Sequence, residues 1–335
     1  MRIAVLGAGF MGSTHARAFA TIDDVDVAAV VASSPERGQP LADEVGARFT
    51  QSADEVFADP SIDAVSICLP TPFHRGPAER AIAAGKHVLL EKPITLTLED
   101  ADALIAQADA SDRVVMMAHV LRFWPEYVEL AARGLSGEHG APLSAVALRR
   151  QAFPAWSQLF SRPDLTGGAI IDMLIHDIDA VNWLLGTPVS VVARGQRNPG
   201  SGGWDQAQIM IEYANGGSAV IDGGMLMPDS YRFSSSLHLL CERGALAYDF
   251  QAGGRSLEEG LGTNQLNLYP AEGTPEVLDV DQADPYQAEC AYFVECVRTG
   301  TSPERATLAD ARVALAVALA ARESLERPGL SVVTL

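Results

Sequence analysis

Cysteine is scarce in this chain, and the four present, Cys68, Cys241, Cys290 and Cys296, follow no regular spacing. Too few and too scattered for a disulfide framework or a zinc site, they fit a reducing compartment, and a cytoplasmic location is expected. Long apolar runs are missing as well. No stretch approaches the ~20 residues of a membrane span, and the chain enters a glycine turn at Gly7, too early for the apolar region of a signal peptide. Basic residues are the third deficit: 24 Lys and Arg stand against 43 Asp and Glu, a formal charge of −19. That balance argues against binding nucleic-acid backbone, which needs a clustered basic face, and reads instead as solubility.

What is present is organised in two halves. A chain of 335 residues exceeds what one core usually serves, since domains cluster at roughly 100 to 200 residues. Up to residue 120 short apolar runs alternate with helical patterns. Strands are expected at 2–6, 25–31, 64–69, 87–90 and 114–118, and helices near 12–21, 36–46, 75–84 and 98–110. Continuous apolar strands in a βαβα order predict a doubly wound parallel sheet. Beyond residue 120 the strand patterns 144–153, 189–197, 206–213 and 217–225 follow one another through short turns, which favours antiparallel pairing. Asn215-Gly216-Gly217 is a local hairpin signal, and a second hairpin is expected across Glu242-Arg243-Gly244. Residues 251–264, rich in glycine, read as a surface loop, and helix returns from Pro285 to about Arg322 with a break near Gly300 to Pro303. The fold class is therefore α/β: a Rossmann domain over 1–120 and an α+β domain with a mainly antiparallel sheet over 121–335.

Gly7-Ala8-Gly9-Phe10-Met11-Gly12 is a GxGxxG run between a strand and a helix. Its first glycine permits a tight turn, its second lets the backbone approach a pyrophosphate, and its third allows close packing of helix on strand. The helix N-terminus then presents N–H groups to the anion. An NAD site carries an acid about 20 residues further on, for the ribose 2′-OH. Here the second strand ends Val30-Val31-Ala32-Ser33-Ser34 without a carboxylate. Ser33 and Ser34 leave room for a 2′-phosphate and Arg37 supplies positive charge, so NADP is the expected preference, with NAD the alternative.

Glu91-Lys92-Pro93 follows the apolar run His87-Val88-Leu89-Leu90, which places a lysine where a strand leaves the sheet, an edge at which loops carry function. Further on, Gly167-Gly168 precedes Asp172 and His176. On a helix those two positions share a face, and a carboxylate near an imidazole raises its pKa and fixes its tautomer. With Thr71-Pro72 and His74 after the third strand, these motifs together resemble the family of glucose-fructose oxidoreductase, inositol dehydrogenase and rhizopine-catabolism proteins (Gfo/Idh/MocA), over nearly the whole chain.

The resemblance implies an NAD(P)-dependent oxidoreductase acting on a sugar, cyclitol or related polyol. It makes Lys92 the residue that touches both the reacting hydroxyl and the cofactor, His176 the proton acceptor or donor, and Asp172 an acid that binds substrate or orients the histidine. Further cofactor contacts are expected from Leu69, Thr71, His74 and Glu91, and further substrate contacts from Arg122, Trp156 and Arg162. No metal is expected: Asp179 alone offers a third ligand in helical register beside Asp172 and His176, and the family transfers hydride without one. Two alternatives remain open to the sequence, a ligand-sensing regulator of the same fold without turnover and a reductase of a non-carbohydrate substrate. Strand 206–213 puts Ala207, Ile209 and Ile211 on one side and Gln208, Met210 and Glu212 on the other. That mixed outer face, with the resemblance, predicts a homodimer or homotetramer built through the C-terminal sheet.

Overall fold

A computed structural model describes residues 1–155, 158–254, 260–327 and 331–333. The chain divides into two compact units, Met1–Phe123 with Ala283–Arg312, and Trp124–Gln282 with Val313–Leu335. Among the described residues no helix is long and apolar enough to cross a membrane.

The first unit holds a parallel sheet of β1 (Arg2–Leu6), β2 (Asp26–Val31), β3 (Arg48–Thr50), β4 (Ala64–Ile67), β5 (His87–Glu91) and β6 (Val115–Ala118), in the order β3-β2-β1-β4-β5-β6. The crossovers carry α1 (Phe10–Ala20), α2 (Pro35–Val45), α3 (Ala53–Ala58), α4 (Arg75–Ala83) and α5 (Leu98–Asp109). Strands covered on both faces need apolar side chains at every position, and β1, β4, β5 and β6 are buried almost throughout. The strand order reverses between β1 and β4, the topological switch point where doubly wound sheets bind ligands. Two elements escape the sequence patterns, β3 and α3. β3 is three residues long, with only Thr50 buried, so it carries no apolar run.

The second unit contains, among the described residues, a nine-stranded sheet in the order β14-β13-β12-β11-β7-β10-β9-β8-β15. Its strands are β7 (Pro142–Ala152), β8 (Pro188–Arg197), β9 (Trp204–Tyr213), β10 (Ser218–Met227), β11 (Ser234–Cys241), β12 (Gly244–Ala252), β13 (Leu261–Pro270), β14 (Glu276–Leu278) and β15 (Ser331–Val332). Pairing is antiparallel except between β7 and β10. That parallel pair departs from the expected run of hairpins, because helical chain and the β8–β9 hairpin return to β7 from the same end. α6 (Pro125–Leu135), α7 (Pro163–Thr166), α8 (Ala169–Asp172) and α9 (Ile175–Leu185) precede β8 in the chain, and α6, α8 and α9 pack on the sheet. In β9, Ala207, Ile209 and Ile211 are buried while Gln208, Met210 and Glu212 are exposed, the alternation expected of a sheet covered on one face. The 215–217 hairpin forms as read, with Gly216 at φ +84° and the Asn215 side chain accepting from Gly217 N–H at 2.9 Å. Residues 251–264 are not a simple loop. β12 runs to Ala252 and β13 begins at Leu261, since a strand's backbone pairs whether or not its side chains alternate.

α10 (Pro285–Thr299) and α11 (Leu308–Glu326) close the chain. Residues 283–312, expected in the second domain, group with the first unit. The cause is α10, which packs on α1: Phe293 meets Phe19 edge to face, with ring centroids 6.4 Å apart.

Candidate active site

The glycine run is built as its spacing requires. Gly7 has φ +111°, and a Cβ there would overlap the Cys68 carbonyl; a Cβ at Gly12 would overlap the carbonyl of Gly7. Gly9 differs: a Cβ there would meet nothing within 4 Å, so the second glycine borders open space. It is also the N-cap of α1, which no side chain caps and whose first turn holds no acid. An open, uncapped helix start of this kind fits a dinucleotide pyrophosphate. Phe10 is half exposed and Met11 half-buried beside it.

At the end of β2, Ala32 stands where an acid would hold a ribose, and Ser33 and Arg37 are exposed. Ser34 is engaged: its hydroxyl bonds the Glu36 carboxylate and holds that acid below its usual pKa. One of the two hydroxyls expected at a 2′-phosphate is thus shared with a carboxylate.

The loops after β4 and β5 are tied together by His74. Its Nδ1 lies 2.8 Å from the Pro93 carbonyl and its Nε2 2.7 Å from the Leu69 carbonyl, so a fully buried ring bridges the two segments. Burial pushes this imidazole below its usual pKa, and the two carbonyls it faces, which favour the protonated ring, oppose that. Thr71 is buried in a 3-10 turn, and the Lys92–Pro93 peptide is cis. Glu91 turns inward: Oε2 accepts from Lys92 N–H at 3.0 Å and Oε1 lies 3.2 Å from His15 Nε2. Its carboxylate thereby serves the loop's own geometry, and Lys92 is left half-buried at the strand end. Arg122 is buried and ion-paired to Asp310 at 3.2 Å.

In the second unit Gly167 and Gly168 both take positive φ, +78° and +76°, and start the one-turn helix α8. Asp205 steadies that start by accepting from Ala169 N–H at 3.2 Å. Asp172 and His176 do not lie on one regular helix as expected. Asp172 is the last residue of α8 and His176 the second of α9; between them Leu174 N–H bonds Ala169 O at 2.8 Å and His176 N–H bonds Met173 O at 3.4 Å. Both side chains are half-buried. Next to His176, Asp177 is fully buried and accepts a two-pronged bond from Arg149 of β7, at 2.7 Å and 3.1 Å, while Arg149 also donates to Tyr127 at 3.3 Å. Burial pushes the Asp177 carboxyl up and the guanidinium opposes it. Sequence reading passed over Arg149 and Asp205; the Asp177 beside His176 was the available signal for a buried cation. Arg162 is exposed and bound to Asp164 at 2.9 Å and 2.7 Å, and Trp156 lies outside the described residues.

Comparisons with known proteins bear on both units. Residues 1–119 match the model of an oxidoreductase family with an NAD-binding Rossmann fold, and residues 127–247 match the C-terminal domain model of the Gfo/Idh/MocA family. The chain is 28% identical to scyllo-inositol 2-dehydrogenase (NAD(+)) of Bacillus subtilis (strain 168), over 99% of its own length and 96% of the relative's. It is 31% identical to an inositol 2-dehydrogenase of Acidothermus cellulolyticus, over 74% of this chain and 72% of that one. Among solved structures, UDP-N-acetylglucosamine 3-dehydrogenase from Acidithiobacillus ferrooxidans superposes with a TM-score of 0.83 at 30% identity, covering 97% of this chain and 98% of its own. The chain belongs to the Gfo/Idh/MocA family of oxidoreductases, with the NAD-binding domain in the first unit and the family's C-terminal domain in the second.

Proposed function

We propose that this protein interconverts a secondary hydroxyl and a ketone on a sugar, cyclitol or related polyol, with NADP or NAD as the redox partner, in the cytoplasm. The observation that carries this reading is Lys92, held at the carboxyl end of β5 by Glu91 and by the His74 bridge, in the unit whose glycine cradle faces open space. Relatives named as inositol and sugar dehydrogenases support the substrate class.

A nicotinamide cofactor held at the Gly7–Gly12 cradle would supply the hydride chemistry. The chain's own residues handle position and protons. Lys92, a cation at a half-buried position, stabilises the charge that develops on the substrate oxygen. His176 accepts the hydroxyl proton in oxidation and returns it in reduction, and Asp172 orients it. For the cofactor, the absence of an acid at Ala32 removes the repulsion of a 2′-phosphate, and Ser33 and Arg37 favour it. Glu36, bonded to Ser34, limits the preference to a modest one.

Assembly uses the open face of the second unit's sheet. Val192, Met210, Val220 and Val146 align across β8, β9, β10 and β7, with Met210 49% and Val146 50% exposed, a row suited to a second copy of the sheet. Screening NADH and NADPH oxidation, and NAD and NADP reduction, against cyclitols, aldoses, ketoses and nucleotide sugars tests the reading. Bound cofactor with no turnover on any of them would reject it.

A further inference from the structure

The Rossmann unit buries an acid for which the proposed reaction has no use. Glu289, in the second turn of α10, is fully buried, and neither of its carboxyl oxygens has a hydrogen-bond partner. Its Oε2 stands 3.8 Å from His15 Nε2. His15, on α1, is buried just as completely, with Nδ1 at 2.8 Å from Ser66 Oγ and 3.5 Å from Cys68 Sγ, and Nε2 at 3.2 Å from Glu91 Oε1. Glu91 in turn holds the Lys92 N–H at 3.0 Å. The helix that starts in the glycine cradle, the helix α10 and the Glu-Lys-Pro loop therefore meet at one imidazole.

Charge decides what this cluster is. Two ionised carboxylates around one imidazolium leave a net negative charge in a fully buried site, which a single bound proton removes. Glu91, with the Lys92 N–H on one oxygen and His15 at ion-pair distance on the other, is the carboxyl arranged to be ionised; Glu289, with neither oxygen bonded, is arranged to be neutral. We propose that His15, Glu91 and Glu289 share protons as one buried positioning unit for Lys92, in which an imidazolium holds the Glu91 carboxylate, Glu91 holds the lysine's backbone, and Glu289 remains a neutral acid. The inference rests on the role given to Lys92 above.

Proton affinities run the same way. Burial pushes the Glu289 carboxyl well above its usual range, Glu91 adds to that and His15 opposes it. For Glu91, burial pulls upward but His15, at ion-pair distance, outweighs it, with Lys92 and His74 adding to the lowering. Burial would depress His15, yet the groups facing its ring, with the Glu91 carboxylate among them, hold it well above an ordinary imidazole. The Cys290 thiol, facing the same ring, is itself pushed up by burial. A carboxyl whose folded pKa is raised contributes its full stability below the ordinary value of 4.5 and loses it as pH climbs through the folded pKa.

Glu289→Gln, a neutral amide of the same shape, removes that loss. The melting temperature of Glu289→Gln relative to wild type is expected to rise steadily between about pH 6 and 9. A constant deficit across that range would mean an ionised, needed Glu289 and would overturn the proposal. Glu91→Gln, which removes the charge on which His15 closes, is expected to lower kcat about 10- to 100-fold, the cost of a misplaced reacting group, while the Kd for NADPH by fluorescence changes less than about threefold. Wild-type kcat in folded Glu91→Gln would equally overturn it. Should Glu91→Gln not fold, the kcat–pH profile of Glu289→Gln decides, its alkaline limb moving to higher pH if the unit positions Lys92 and staying in place if it does not. The melting curves are independent of Lys92 chemistry, so a failure of the lysine's role, read from Lys92→Ala, remains separable.

Discussion

Ala32 is the residue on which cofactor choice turns. A methyl group at the end of β2 neither binds a ribose hydroxyl pair nor repels a phosphate, and Glu36, held by Ser34, moderates the advantage that Arg37 gives to NADP. Steady-state kinetics with both cofactors are expected to give a modestly higher kcat/KM with NADPH. Ala32→Asp is expected to reverse the order, because a carboxylate beside a phosphate is a like-charge clash; an unchanged ratio would place 2′-recognition elsewhere. Residues with local chemistry were readable at this scale. Gly7, Gly9, Gly12 and Lys92 stand in short motifs whose backbone demands the sequence states directly. Arg122 and Arg162, expected at the substrate, pair with Asp310 and Asp164. The first pairing joins residues far apart in the chain and has no sequence signal; the second, two residues along, was open to notice.

Elements carry the next test. Gly9 and Gly12 belong to one motif but meet different surroundings, open space in one case and the Gly7 carbonyl in the other. Gly9→Ala should therefore keep the wild-type melting temperature yet weaken NADPH binding by about tenfold or more, ~1.4 kcal/mol. Gly12→Ala should lower the melting temperature itself. Equal effects of both changes on stability would contradict the cradle assignment. In the second unit, α9 is pinned to β7 by the buried Arg149–Asp177 pair, and Arg149→Ala leaves that carboxylate without its cation. Denaturant unfolding should register a loss of about 3–5 kcal/mol, and a loss under about 1 kcal/mol would mean the pair is not what fixes the helix bearing His176. Apolar runs and glycine turns made most strands and helices legible. β3 was not, being three residues long, nor was the break between α8 and α9. The sequence pattern there is helical, and the interruption comes from a turn in which Leu174 N–H reaches back to Ala169. The parallel pairing of β7 with β10 also depends on where the intervening chain returns, which no local pattern states.

For the whole molecule, the row from Val192 through Met210 and Val220 to Val146 predicts self-association of a chain whose formal charge of −19 otherwise favours separation. Light scattering at micromolar concentration should return a dimer or tetramer, and Met210→Glu combined with Val146→Glu should shift it to monomer with an unchanged far-ultraviolet spectrum. A stable wild-type monomer would count against the interface.

If Lys92 stabilises the developing alkoxide and His176 moves its proton, turnover of an accepted polyol by wild type, Lys92→Ala and His176→Ala, measured side by side, will separate the three. The expected loss in kcat is about 100- to 1000-fold without the lysine and about 100- to 10,000-fold without the histidine, cofactor affinity changing little in the latter. Near-normal turnover of His176→Ala from pH 6 to 9, or of Lys92→Ala at any pH, would contradict it.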